Sequence, residues 1–193
     1  MYIKLDVVME YRELDEFEDM LEDEDYLLTK DKIFKDRRIQ EFNGNLEAFT
    51  MLYYFYYKMD KYGYLFNDEK AFWDFKKVFE NKAFLILQMA HRVRAFSLRR
   101  GRKMHYMKNA WIWKEEAVYN YVNSGIYHGC PVLMVTWNNK DEELRGKWGL
   151  IVGIRKDEEK IFVNIFNGKD FFERDLSRWV RSKSLYKGLA YFR

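Results

Sequence analysis

The sequence predicts an α+β chain with its helices first and an antiparallel sheet afterwards. Two observations carry that expectation. From about residue 13 to residue 125 apolar side chains recur mostly at helical spacing, whereas from residue 131 they fall into short β-rich runs separated by "NNKDEELRG" and "RKDEE". Nothing between these halves is rich in Gly, Ser or Pro, and no internal repeat is visible. A chain of 193 residues holds one sizeable core and would be cramped with two. The expected organisation is therefore a single unit: an acidic N-terminal extension over 1–38, a helical part over 39–125 and a sheet part over 126–193.

Residues 2–9, "YIKLDVVM", have the pattern of a short strand. "ELDEFEDMLED" then sets Leu14, Phe17, Met20 and Leu21 on one helical face. From Asn45 to about Lys61 a helix is expected that is apolar almost all round, hence buried on most sides, with Asn45 as its cap and Gly63 close behind its end. Asp68 is placed to cap "EKAFWDFKKVFEN", whose stripe is Phe72, Phe75, Val78 and Phe79. "KAFLILQMAHRVRAFSL" continues as a helix that ends near Gly101. "RRGRKMHYMKNAWIW" has no clear period and reads as loop and extended chain, and "WKEEAVYNYVNSG" as a helix stopping at Gly125. Strands follow at "PVLMVTW", "KWGLIVGI" and "KIFVNIF". "FERDLSRWVRS" reads as a short helix with Leu176, Trp179 and Val180 inward, and "GLAYFR" as a closing strand.

Composition narrows the function classes. Sixteen Phe, 15 Tyr and 6 Trp supply ample core, and 34% charged residues argue for solubility and against disorder. The longest strongly apolar run, Ala48 to Tyr57, is too short and too rich in tyrosine to span a bilayer. The N-terminus turns acidic at once and lacks the pattern of a secretory leader, so a cytoplasmic location and no membrane partner are expected. One cysteine, Cys130, rules out an internal disulfide and a cysteine-based zinc site; His91, His105 and His128 lack metal-ligand spacing, and neither metal nor cofactor is expected. The net charge of +3 conceals polarity: ten acids against one base lie between Glu10 and Asp25, and nine bases with no acid between Asn81 and Lys114. The two segments are candidates to attract each other or different partners.

Several short motifs occur in order. Gln40 precedes an Asn-Gly turn, Asn43-Gly44, that opens the buried helix reaching Met51. "GCPVLMV" begins at Gly129, "GKWGLIVGI" at Gly146, and a strand then ends in "NIFNG" at Gly168. Together these resemble the papain-like cysteine peptidases, and within them the double-glycine-leader peptidase group. That resemblance implies a papain-like fold, a helical N-terminal half packed on a C-terminal antiparallel sheet. It puts Gly44 in the nucleophile's place, Lys147 in the histidine's, and Asn164 or Asn167 in the third, orienting position. Gln40 falls near the oxyanion-hole glutamine, though it also reads as an exposed polar residue before a turn.

Thiol catalysis needs a thiolate and an imidazole that shuttles its proton. Glycine offers no nucleophile, and a lysine with an ordinary pKa of about 10.4 stays a charged donor at neutral pH. Ordinary cysteine-peptidase chemistry is therefore not expected. Gly44 also has a plain structural account, a left-handed turn that lets Asn45 cap the helix. Cys130 with His128 two residues away is an alternative dyad, but nothing there would lower the thiol's pKa, and a buried inert thiol is the favoured reading.

Three functions remain in view. The first is a non-catalytic papain-like protein binding a peptide, small ligand or partner protein through Asn43, Asn45 and Trp148, with Trp111, Trp113 and Trp137 as further groove aromatics. The second is nucleotide or nucleic-acid binding through Arg99, Arg100, Arg102 and Lys103 in the basic 92–108 segment, where aromatics accompany the bases. The third is an enzyme of papain-like fold using a non-cysteine mechanism, in which Lys147 or another group supports a different transfer or hydrolysis.

Overall fold

Seven strands among the described residues share one sheet, and helices lie against both of its faces. The computed structural model describes residues 10–14, 16–39, 42, 45–63, 65–80, 86–101, 106–109, 114–137, 148–157, 160–184 and 186–193. The strand expected over residues 2–9 lies outside them. In chain order the elements are β1 (Glu10–Glu13), α1 (Glu16–Glu22), α2 (Glu24–Lys35), a 3-10 turn (Arg37–Ile39), α3 (Leu46–Met59), α4 (Glu69–Phe79), α5 (Ile86–Leu98), β2 (Tyr106–Asn109), α6 (Glu115–Tyr127), β3 (Val132–Trp137), β4 (Trp148–Asp157), β5 (Lys160–Phe166), β6 (Phe171–Asp175), α7 (Leu176–Arg181) and β7 (Tyr186–Phe192). The chain is thus α+β, with helices in its N-terminal half and consecutive antiparallel strands in its C-terminal part.

The strands run β2-β7-β3-β4-β5-β6, every pairing antiparallel. β1 pairs with the second half of β4, beyond the stretch that β3 occupies. The C-terminal strand β7 does not close the sheet. It lies inside, between β2 and β3, and all but its first residue are buried.

Alternation along the strands separates two cores. On one face Leu133, Val135, Leu150, Val152, Ala190 and Phe192 meet the helices α1 to α5. On the other Val132, Met134, Ile151, Val163, Ile165 and Leu189 meet α6 and α7. Ile151 and Ile154 share the second face despite their odd spacing because the β4–β5 register shifts between Ile151 and Gly153.

The helical expectations hold in their main lines. Asn45 and Asp68 cap α3 and α4 through their side chains, and Phe72, Phe75, Val78 and Phe79 are buried. Phe17 and Met20 of α1 are buried, with Leu14 and Leu21 packed beside them. Helix α2 is an element the sequence reading left out, because its apolar spacing is weak and Leu27, Leu28 and Phe34 face outward. Two boundaries moved. Helix α6 runs past Gly125 to Tyr127, and Gly125 is needed within it: a Cβ there would sit 2.5 Å from Val132 Cγ2 and 3.1 Å from the Tyr191 ring. Phe171–Asp175, read partly as the start of a helix, forms the edge strand β6, and Asp175 caps α7 only afterwards.

Candidate functional site

The start of α3 is built around one side chain. Asn45 has extended backbone angles, and its Oδ1 accepts the Ala48 N–H at 3.1 Å, which fixes the first turn. Its Nδ2 donates to the Trp148 carbonyl at 3.0 Å and to the Asn167 carbonyl at 2.5 Å. One amide thus joins the helix start, the first residue of β4 and the residue that follows β5. At 2% exposure Asn45 is sealed from solvent, so these bonds replace hydration that it has lost.

The turn after β5 is shaped to lie on this point. Gly168 has φ +107, and a Cβ on it would come within 2.5 Å of Asn45 Oδ1 and 2.8 Å of Glu47 Cβ. Asn167 holds the turn with its own side chain, Oδ1 accepting the N–H groups of Lys169 at 2.9 Å and Asp170 at 3.1 Å.

Against this frame the sequence candidates fall as follows. Gln40, Asn43, Gly44 and Lys147 lie outside the described residues, as do Arg102, Lys103, Trp111 and Trp113. Of the two candidates for the third position, Asn167 comes to the α3 start through its backbone. Asn164 instead donates to Glu13 Oε1 at 2.6 Å and ties β5 to β1. Trp148 is 3% exposed and stacks on Phe79 at 5.6 Å between centroids. Neither the Asn45 nor the Trp148 side chain is open to solvent.

Cys130 is buried, and its Sγ donates to the His128 carbonyl at 3.4 Å, not to the imidazole. Burial pushes its thiol up to about 11, the reverse of an activated nucleophile. The His128 ring is exposed beside the Arg193 guanidinium at 3.1 Å. Among the described residues no group of three or more His, Cys, Asp or Glu is placed to hold a metal ion.

In the basic segment, Arg100 pairs with Asp74 at 3.0 Å and lies over the Phe96 ring at 4.4 Å. Arg92 donates to the Lys77 and Glu80 carbonyls at the end of α4, and Arg94 and Arg99 are exposed. In the acidic segment Asp23 bonds to Lys58 of α3, which holds the Asp23 carboxyl below its usual range. Each segment thus finds an ion-pair partner on the central helices.

A different concavity lies on the helical side. A cavity of about 480 Å³ opens between α2, α3 and α4, walled by Leu28, Tyr53, Tyr54, Tyr57, Phe72 and Trp73. A second, of about 400 Å³, adjoins it and shares Asp25, Tyr54, Tyr57, Phe66 and Asn67. The intervening loop is held by Asp60, whose Oδ2 accepts the Leu65 and Phe66 N–H groups at 2.6 and 2.9 Å. Sequence reasoning passed over this groove because its walls come from three separate segments. The available signal was the run "LYYFYYKM", which carries four tyrosines, more hydroxyls than an inert core helix needs.

No helix among the described residues is long and apolar enough to cross a membrane. No protein-family model matches the chain, and no curated protein does either.

Proposed function

We propose that this chain is a non-catalytic protein of papain-like kind, whose former active-site region around the α3 start serves to bind a peptide, small ligand or partner protein. One observation carries the reading: the Asn45 amide, next to Gly44, bonds to the carbonyl of Trp148, next to Lys147, and to that of Asn167. Three segments distant in sequence, which the resemblance assigns to nucleophile, histidine and orienting residue, are thereby tied through one side chain. The residues at positions 44 and 147, glycine and lysine, supply neither thiolate nor imidazole. In this reading Asn45 and Trp148 hold the floor, and contacts with a ligand fall to Asn43, Gly44 and Lys147.

Restoring the missing groups tests the reading directly. In a Cys130→Ala background, Gly44→Cys and Lys147→His are introduced singly and together, and iodoacetamide alkylation is followed as a function of pH. The double variant is expected to react well below the ordinary thiol pKa of about 8.5, and Gly44→Cys alone only near it. Identical pH profiles for the single and double variants would count against the papain-like layout.

A further inference from the structure

We propose that the groove between α2, α3 and α4 receives a basic peptide segment of a partner protein, with a cationic side chain seated on the Tyr57 ring beside Asp25. This site is separate from the α3 start and does not depend on the reading given for it.

Shape is the first argument. The two cavities of about 480 and 400 Å³ share five lining residues and together form one trough open to solvent. A small ligand is ordinarily enclosed on most sides, whereas an open trough fits an extended chain that keeps one side in water. Large apolar groups stand exposed at its edge, Leu28 at 68% and Tyr57 at 51%.

Charge and ring chemistry select the occupant. Asp25 is exposed and borders both cavities, and Asp36, Asp60, Asp68 and Glu69 also line the trough. Lys32, Lys58 and Lys61 oppose them; Lys58 is bonded to Asp23, as Asp36 and Glu69 are to Arg38, so the selection rests on the exposed Asp25. Glu22 and Glu24 add exposed negative charge at the end of α1 and the start of α2, where Asp25 also lies. Aromatic faces next to carboxylates favour cations.

The walls already show such pairing twice. The Arg38 guanidinium lies 3.8 Å from the Trp73 ring centroid while bonding to Asp36 and Glu69. The Lys58 ammonium lies 5.3 Å from the Tyr54 ring while bonding to Asp23. Tyr57 and Asp25 both line both cavities, and they bring a half-exposed ring, stacked at 6.3 Å on Tyr53 and Tyr54, and an exposed carboxylate to the same stretch of the trough for a cation supplied by a partner.

The test uses the full chain and a fluorescein-labelled hexapeptide alternating arginine and leucine, read by fluorescence anisotropy. Comparison ligands are the same peptide with glutamate for arginine, and free arginine amide as competitor. Binding of the arginine peptide is expected to weaken about tenfold in Asp25→Lys and in Tyr57→Ala, matching loss of one ion pair or one cation–ring contact. Glu18→Lys, which makes the same charge change on α1, is expected to leave affinity within about twofold. Both sites are exposed, and circular dichroism checks that the variants fold. Equal weakening by Glu18→Lys and Asp25→Lys would reduce the effect to general attraction and overturn the proposal. So would equal binding of the glutamate peptide, unchanged binding in Tyr57→Ala, or displacement by arginine amide at the peptide's own concentration, which would make this a small-cation site.

Discussion

The two faces of the sheet are filled with different chemistry. Towards α3, α4 and α5 the packing is ring against ring: Phe75 alone meets Phe49, Tyr53, Tyr56, Phe66, Phe79 and Phe96 at centroid distances of 5.1 to 6.5 Å. Towards α6 and α7 the core is mostly aliphatic, with Val118, Val122, Ile151, Val163 and Ile165. Branched aliphatics suit a pleated surface covered by one layer of helix. Where helices pack on further helices the spaces are larger and less regular, and rings fill them. The α2–α3–α4 trough is the part of that space the rings leave open, so the concavity belongs to the aromatic side.

The contrast can be broken most forcefully at Phe75. Phe75→Ala is expected to cost about 4 kcal/mol, against about 1 kcal/mol for Ile165→Val on the opposite face, both by chemical denaturation. A Phe75→Ala loss no larger than that of Ile165→Val would remove the distinction between an interlocked aromatic core and an aliphatic layer.

The junction between the α3 start and the sheet comes next. Asn45→Ala is expected to cost about 2 to 3 kcal/mol, because a helix cap is lost and the Trp148 and Asn167 carbonyls lose a donor. Asn45→Asp sharpens this, since a carboxylate keeps the cap but has no N–H for those carbonyls; about half the loss is expected to remain. Full recovery by aspartate would make Asn45 a helix cap alone and not a tie to the sheet.

The smallest effect is read by pH, and its onset belongs to the aliphatic face. Burial raises the pKa of the Cys130 thiol from 9.0 to about 11, and that of the Tyr26 and Tyr53 hydroxyls from 10.0 to about 12. In each case the folded protein holds a proton that the unfolded chain releases, so stability is full below the unfolded value and falls as pH rises towards the folded one. Cys130 governs the onset, between about pH 9 and 10, where about 1 kcal/mol is expected to be lost. Tyrosines on both sides, Tyr26 and Tyr53 on the aromatic one and Tyr121 on the other, add to the fall above pH 10. Cys130→Ala is expected to abolish the early part of the alkaline decline and leave the later part, as read from denaturation midpoints at successive pH. An unchanged onset would mean that the thiol is not held neutral by the fold.

Much of the helical half was legible because its signals are local. Asn45 and Asp68 cap with their own side chains within three residues, and Phe72, Phe75 and Phe79 repeat at the helical period. Gly125 misled because its role is not local: it is small so that Val132 and Tyr191 can approach α6, and only the neighbouring strands reveal that. The region β6 to α7 was misread for a related reason, since Phe171 and Phe172 are half-buried on an edge strand, where alternation is weak. Asn45 was legible as a helix cap, and its other bonds were not. Nothing local says that the Asn45 amide reaches Trp148, 103 positions away, or that Gly168 must lie on the helix start.

By itself the sequence determined the class of the chain, most of its helices and strands, and the caps that start α3 and α4, because periodicity and capping act over a few residues and need no distant partner. The tertiary structure alone decided that β7 lies inside the sheet, that the Asn45 amide serves both β4 and the turn after β5, and that Leu28, Tyr57 and Trp73 line a common trough. Those outcomes depend on how apolar faces are shared between elements far apart in the chain. The free energy of burial fixes that sharing only once the whole chain has packed.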